Sequence, residues 1–117
     1  MNRLPEITAI QHQGAHAVTL SLLVQPELHY FPNHFPDYPL LPGVVQLDWA
    51  IHFGRKTLQA KGDFCRMDNI KFQAIVQPGQ KLDLHLQWHA ENGRLEFAYK
   101  QDEKTFSSGV VVLAVAS

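Results

Sequence analysis

A disulfide within the chain is excluded at once, because Cys65 is the only cysteine among 117 residues and a bridge needs two. No apolar run approaches the roughly 18 residues of a spanning helix. The opening stretch, MNRLPEITAIQHQGAH, interrupts its apolar residues with Pro5, Glu6 and Gln11, unlike the core of a secretory leader. The expectation is a cytoplasmic protein with no membrane span. An excess of either charge is also missing, since ten Lys and Arg face eleven Asp and Glu and no dense basic cluster offers a nucleic-acid field. Repeats, low-complexity tracts and linkers are absent, and the length leaves no room for a second domain, so residues 1–117 are expected to form one. The chain is nonetheless 45% hydrophobic and only 18% charged, a composition that buries a core.

What is present is mostly strand patterning. HAVTLSLLV places Val18, Leu20, Leu22 and Val24 on one face by strict alternation, the mark of a strand with one buried side. The proline-rich stretch that follows, ending at Pro42-Gly43, forbids a regular helix or a central strand. From Val44 to Leu58 there is no proline, and Pro42-Gly43 at the start and Gly62 beyond the end suit a helix. NIKFQAIV reads as a strand closed by Pro78-Gly79. Residues 82–100 read as a hairpin about Asn92-Gly93, with Leu82, Leu84, Leu86 and Trp88 answered by Leu95, Phe97 and Tyr99. A polar stretch, QDEKTFSSG, then leads into the apolar strand VVVLAVA. The sum is an α+β fold in which a curved, mostly antiparallel sheet of about five or six strands wraps a single central helix.

Projected at about 100° per residue, the helix is apolar nearly all round, through Val44, Val45, Leu47, Trp49, Ala50, Ile51, Phe53 and Leu58. One thin polar stripe of Asp48, His52, Arg55 and Gln59 begins at Asp48. The stripe either faces water or places Asp48 in a shielded cleft, where a protonated carboxyl can serve as a general acid. Pro32, Pro36, Pro39 and Pro42 stiffen the backbone around His34, which suits the aiming of an imidazole. Gly43 leaves its N–H unobstructed at the positive end of the helix dipole, suited to a carbonyl oxygen that gains negative charge. A base, an acid and an oxyanion donor thus fall within fifteen residues.

His34-Phe35-Pro36, Pro39, Leu41-Pro42-Gly43-Val44 and Asp48-Trp49-Ala50 together resemble the signature of the FabA/FabZ-type β-hydroxyacyl-acyl carrier protein dehydratases, which have the hotdog fold. IKFQAIVQPGQKLDLHLQ and SGVVVLAVAS are similar to later strands of that family. The wording PLLPGVVQLDWA resembles in particular the short ApeI-like dehydratases associated with aryl polyene pathways. Asp48, in place of glutamate, is similar to the FabA side, whereas the loop is more like the FabZ side. Asn33 stands where glycine is common before the histidine, and His52 where glutamine is common.

The resemblance implies dehydration of a 3-hydroxyacyl-acyl carrier protein to the trans-2-enoyl thioester, in fatty acid, polyketide or aryl polyene biosynthesis. His34 is then the general base, Asp48 the acidic partner and the Gly43 N–H the donor to the thioester carbonyl. Phe35, Pro42, Val44 and His52 would contact substrate. It implies no cofactor, an acyl carrier protein as partner, and a homodimer or higher homo-oligomer, or a heterodimer with a homologue. Each site would take its histidine and its acid from different protomers. Two other functions remain open: a hotdog acyl-thioesterase, because fold does not fix reaction, and a non-catalytic binding subunit or dimer partner.

The remaining candidates carry less. His85 and His89 stand about 13 Å apart by strand rise, too far to share a metal, and His12, His16 and His29 lack partners at ligand spacing, so no metal site is expected. Cys65 is expected as a small buried residue. Arg55, Lys56, Lys61, Arg66 and Lys71 form a basic region after the helix, either a docking surface for an acidic carrier or a solvated helix end.

Overall fold

A computed structural model describes residues 3–26 and 40–114. The strands are β1 (Glu6–His12), β2 (Ala17–Leu23), β3 (Asp63–Phe72), β4 (Lys81–His89), β5 (Arg94–Gln101) and β6 (Lys104–Ala114), and the helix α1 (Gly43–Leu58) lies between β2 and β3. All pairings are antiparallel, in the order β1-β2-β4-β5-β6-β3. This is the α+β hotdog architecture expected from the sequence, with α1 packed on the helix side of one six-stranded sheet.

Alternation does the work in the sheet centre. Leu20 lies opposite Leu84, and Leu84 opposite Tyr99. Leu86 faces Phe97 and Trp88 faces Leu95. Because directly paired residues share a face, these side chains form one apolar surface, which Val45, Leu47, Trp49, Ala50, Phe53 and Leu58 of α1 cover. Gly54 lets α1 approach closely: an added Cβ there would lie 2.7 Å from Cδ2 of Leu95.

Four departures from the sequence reading stand out. β1 is a full strand although every residue in it is exposed. Ile7 and Ile10 lie opposite Leu22 and Leu20, yet α1 does not reach them, so no one-sided pattern was imposed on this edge. β3 starts at Asp63 and ends at Phe72 rather than running toward Pro78-Gly79, since Gln73 and Ala74 turn their N–H groups onto the Phe106 carbonyl. β6 begins at Lys104, inside the polar stretch, where Phe106 and Ser107 are buried. Cys65 is exposed, not buried. It occupies a register irregularity between Phe64 and Arg66 on edge strand β3, where no second layer covers it.

Candidate functional site

The site is organised by the start of α1. Pro42 caps the helix with φ −60° and ψ 146°, and its carbonyl accepts from the N–H groups of Val45 (3.1 Å) and Gln46 (3.3 Å). That carbonyl shares a trans peptide unit with the Gly43 N–H, and the two groups of such a unit point in opposite directions. Pinning the carbonyl along the helix therefore aims the Gly43 N–H out of the helix N-terminus, where the first N–H groups lack intrahelical partners and the dipole is positive. Gly43 also lies close to an aromatic side chain. A Cβ there would lie 2.6 Å from Cζ of Phe72, whose ring packs against the helix start.

Asp48 sits just over one turn further along α1 and is exposed in the single chain. The stripe that the sequence begins at Asp48 begins one turn earlier, at Val44, which is 64% exposed. Val44, Asp48 and His52 follow at i, i+4 spacing, so an apolar residue, a carboxyl and an imidazole share one open face. His52 is half-buried with its ring edge-on to Phe53 at 5.1 Å. Desolvation, reinforced by the Lys56 cation one turn on, lowers its pKa below the usual value. Pro42 is half-buried. His34 and Phe35 lie outside the described residues.

The flanks of that span are nevertheless anchored. Before it, Val24 exchanges backbone hydrogen bonds with the β4 approach, its N–H to the Gln80 carbonyl (2.9 Å) and its carbonyl from the Gly79 N–H (2.7 Å). After it, the Leu41 N–H donates to the Val76 carbonyl at 2.8 Å. Both flanks of the His34 segment are thus tied to residues 76–80.

Two buried polar residues, Gln46 and Ser107, escaped the sequence reading. Gln46 is 3% exposed, on the face of α1 that carries Trp49, Ala50 and Phe53. Its Oε1 accepts from Ser107 Oγ at 2.7 Å, its Nε2 donates to the Leu41 carbonyl at 3.3 Å, and its backbone carbonyl accepts from the Tyr99 hydroxyl at 2.7 Å. Burial raises the Tyr99 pKa well above its ordinary value, so that hydroxyl stays a donor. The signal was available: an amide at i−3, i−4 and i−7 from three apolar residues interrupts a buried stripe.

The other candidates lie apart. His85 is within 3.2 Å of Thr19 Oγ1 on the outer sheet face, and His89 Nε2 is 2.7 Å from Glu96 Oε2. Among the described residues no group of three or more His, Cys, Asp or Glu could hold a metal. Arg55 donates to the Gly62 carbonyl, and Arg66 and Arg94 share Asp68, whose pKa their bonds, Arg66 foremost, lower. Two members of the basic region are therefore already engaged within the chain or its surface pairs, while Lys71 borders a groove of about 720 Å³ on the outer face. No described helix is long and apolar enough to cross a membrane.

Comparison with known proteins gives consistent results. A family model described as ApeI-like, ApeI dehydratase, matches residues 10–110. The dehydratase heterocomplex ApeI:P from Xenorhabdus doucetiae contains a chain 34% identical, with a TM-score of 0.89 and coverage of 95% of this chain and 98% of that one. An uncharacterized protein from Erwinia carotovora subsp. atroseptica is 38% identical with a TM-score of 0.83, covering 96% and 97%. The 3-hydroxyacyl-acyl-carrier-protein dehydratase FabZ of Bacillus cereus is 28% identical over 90 residues, 71% of this chain. That of Bacillus velezensis is 33% identical over 64 residues, 49% of this chain. The chain spans 62% and 45% of the length of these two curated relatives.

Proposed function

The chain belongs to the ApeI-like dehydratase family, and from that premise we propose that it converts a 3-hydroxyacyl-acyl carrier protein thioester to the trans-2-enoyl thioester and water. The observation that carries this reading is the start of α1, where an outward-aimed Gly43 N–H and an open Asp48 carboxyl lie little more than a turn apart. His34 removes the proton α to the thioester carbonyl as the Gly43 N–H takes the charge that develops on the carbonyl oxygen. The electron pair forms the C2–C3 double bond as the C3–O bond breaks. Asp48 delivers a proton to the departing hydroxyl, and water leaves. The proton held by His34 then returns to Asp48, which closes the cycle without a cofactor. Phe35, Pro42, Val44 and His52 border the acyl chain.

A carboxylic acid that keeps its proton for such a step needs shielding from water. Asp48 lacks that shielding in a single chain, and a second chain supplies it in this reading. Phe64, Met67 and Phe72 of edge strand β3 are exposed and pair with inward-facing Leu113, Val111 and Ser107. They therefore leave the helix side of the sheet edge uncovered and apolar, suited to a homologous β3. The partner is a second copy. A homologue is the second reading, favoured by the relative found in a heterocomplex. The reaction is one of the cytoplasm in this reading, and Lys71, set apart from the engaged Arg55 and Arg66, is the cation offered to the acidic carrier.

The test is incubation with 3-hydroxyacyl carrier thioesters while enoyl product and free thiol are followed together. Enoyl formation should fall by about 10² to 10⁴ in His34→Ala and in Asp48→Asn, with thermal midpoints little changed. Thiol release without enoyl product would make the protein a thioesterase. Neither product would make it a binding subunit.

A further inference from the structure

We propose that Gln46 is a positioning residue for this site, whose buried amide clamps the loop-to-helix junction that aims Gly43 and Asp48. The inference rests on the dehydratase reading and adds to it a residue that touches no reacting atom. Gln46 sits where leucine or methionine would fill the same space, and burying an amide is costly unless each polar atom is bonded. Here each one is. Oε1 takes the Ser107 hydroxyl from β6, Nε2 holds the Leu41 carbonyl, and the residue's own N–H bonds the Pro42 carbonyl.

These bonds fall on the two consecutive peptide units that flank Pro42. The Leu41 carbonyl belongs to the first unit and is fixed by the side chain. The Pro42 carbonyl belongs to the second, the unit that carries the Gly43 N–H, and is fixed by the backbone of the same residue. Ser107 has no exposure and belongs to β6, an interior strand paired on both sides by β5 and β3, so the orientation of the junction is referred to the sheet. The Tyr99 hydroxyl, bonded to the Gln46 carbonyl, adds a second sheet reference half a turn before Asp48. Through this chain of bonds the direction of the oxyanion donor and the axial position of the acid are set by one side chain.

The experiment compares the full-length wild type with Gln46→Met, Gln46→Glu and Ser107→Ala. Gln46→Met keeps the volume and removes both side-chain bonds. Gln46→Glu keeps the acceptor for Ser107 but loses the donor to Leu41 once ionised. With rates normalised to folded protein, kcat for a 3-hydroxyacyl carrier thioester should fall roughly tenfold or more in both. KM should stay within about twofold, because the loss is in the transition state. Ser107→Ala, which leaves the Leu41 bond, should fall less. Lowering the pH should bring Gln46→Glu back toward wild type, since a protonated carboxyl offers the same donor and acceptor as the amide. The backbone amide resonance of Gly43 should move in both Gln46 variants, while those of β1 should not. A Gln46→Met enzyme with kcat within twofold of wild type, or an unmoved Gly43 resonance, overturns the proposal. If the wild type forms no enoyl product, the dehydratase reading fails, and the Gly43 resonance alone decides whether Gln46 positions the junction.

Discussion

An alanine at position 43 would keep an ordinary backbone, since Gly43 has no positive φ, but its Cβ would displace the Phe72 ring. That ring is half exposed and can swing. Gly43→Ala should therefore cost little stability, with a thermal midpoint within a few degrees of wild type, yet reduce kcat by about 10² as the donor is crowded. Adding Phe72→Leu should recover part of the rate, and a double variant no better than Gly43→Ala would show that the ring is not the cause. His52 gives a pH prediction at the same scale. Its folded pKa lies below the usual 6.5, so between the two values the unfolded chain binds more protons and stability rises with pH. The destabilisation develops as pH falls through 6.5 and is complete below the folded value. Thermal melts should show His52→Gln gaining on wild type as the pH drops through that window, and an imidazole titration at or above 6.5 would refute the assignment. The placement of Gly43 at the helix start and of Asp48 just over a turn on was legible in sequence because proline spacing and helix phase are local, while His34 lies outside the described residues. The exposure of Val44 was not, because it depends on which side of α1 the sheet leaves open.

The elements were legible in proportion to the burial imposed on them. β2, β4 and β5 each have one face against α1, and their period of two shows in the sequence. β1 and β3 are the sheet edges and are exposed almost throughout, so no core imposes a one-sided pattern on their residues. The first half of β6 was hidden for another reason: Ser107 is polar because Gln46 is there to bond it. Turns obey the same logic of local against distant constraint. Gly14 and Gly93 both have positive φ, at 77° and 68°, so both resist a side chain. Nothing lies within 4 Å of a Cβ at Gly14, whereas at Gly93 it would run into the Leu113 carbonyl of β6, held there by the bond from the Leu113 N–H to the Gly93 carbonyl. Gly14→Ala should cost about 1–2 kcal/mol, the strain of the left-handed conformation alone. Gly93→Ala should cost clearly more, because backbone must move in two strands. Paired thermal melts check this, and equal losses would contradict it.

For the whole molecule the decisive question is whether one chain suffices. The proposed reading has the open Asp48 shielded by a second chain along the uncovered apolar edge of β3, and two-fold symmetry turns that into arithmetic. Suppose each site takes His34 from one protomer and Asp48 from the other. In a mixed dimer of His34→Ala and Asp48→Asn chains, one site then carries both lesions and the other carries neither. Random reassociation makes half of the dimers mixed, each with one intact site of two, so two inactive preparations should recover about one quarter of wild-type activity when unfolded and refolded together. Sites contained within single chains would recover nothing. Introducing Phe64→Glu with Met67→Glu should yield folded monomers without activity, visible as a shift in elution volume with an unchanged far-UV spectrum. The same edge substitutions in only one of the two complementing chains should weaken the rescue without restoring either parent, because charge on one β3 leaves the opposing apolar edge uncovered. Rescue that survives those charges would move the interface away from β3 and would require Asp48 to be shielded by another face of the partner.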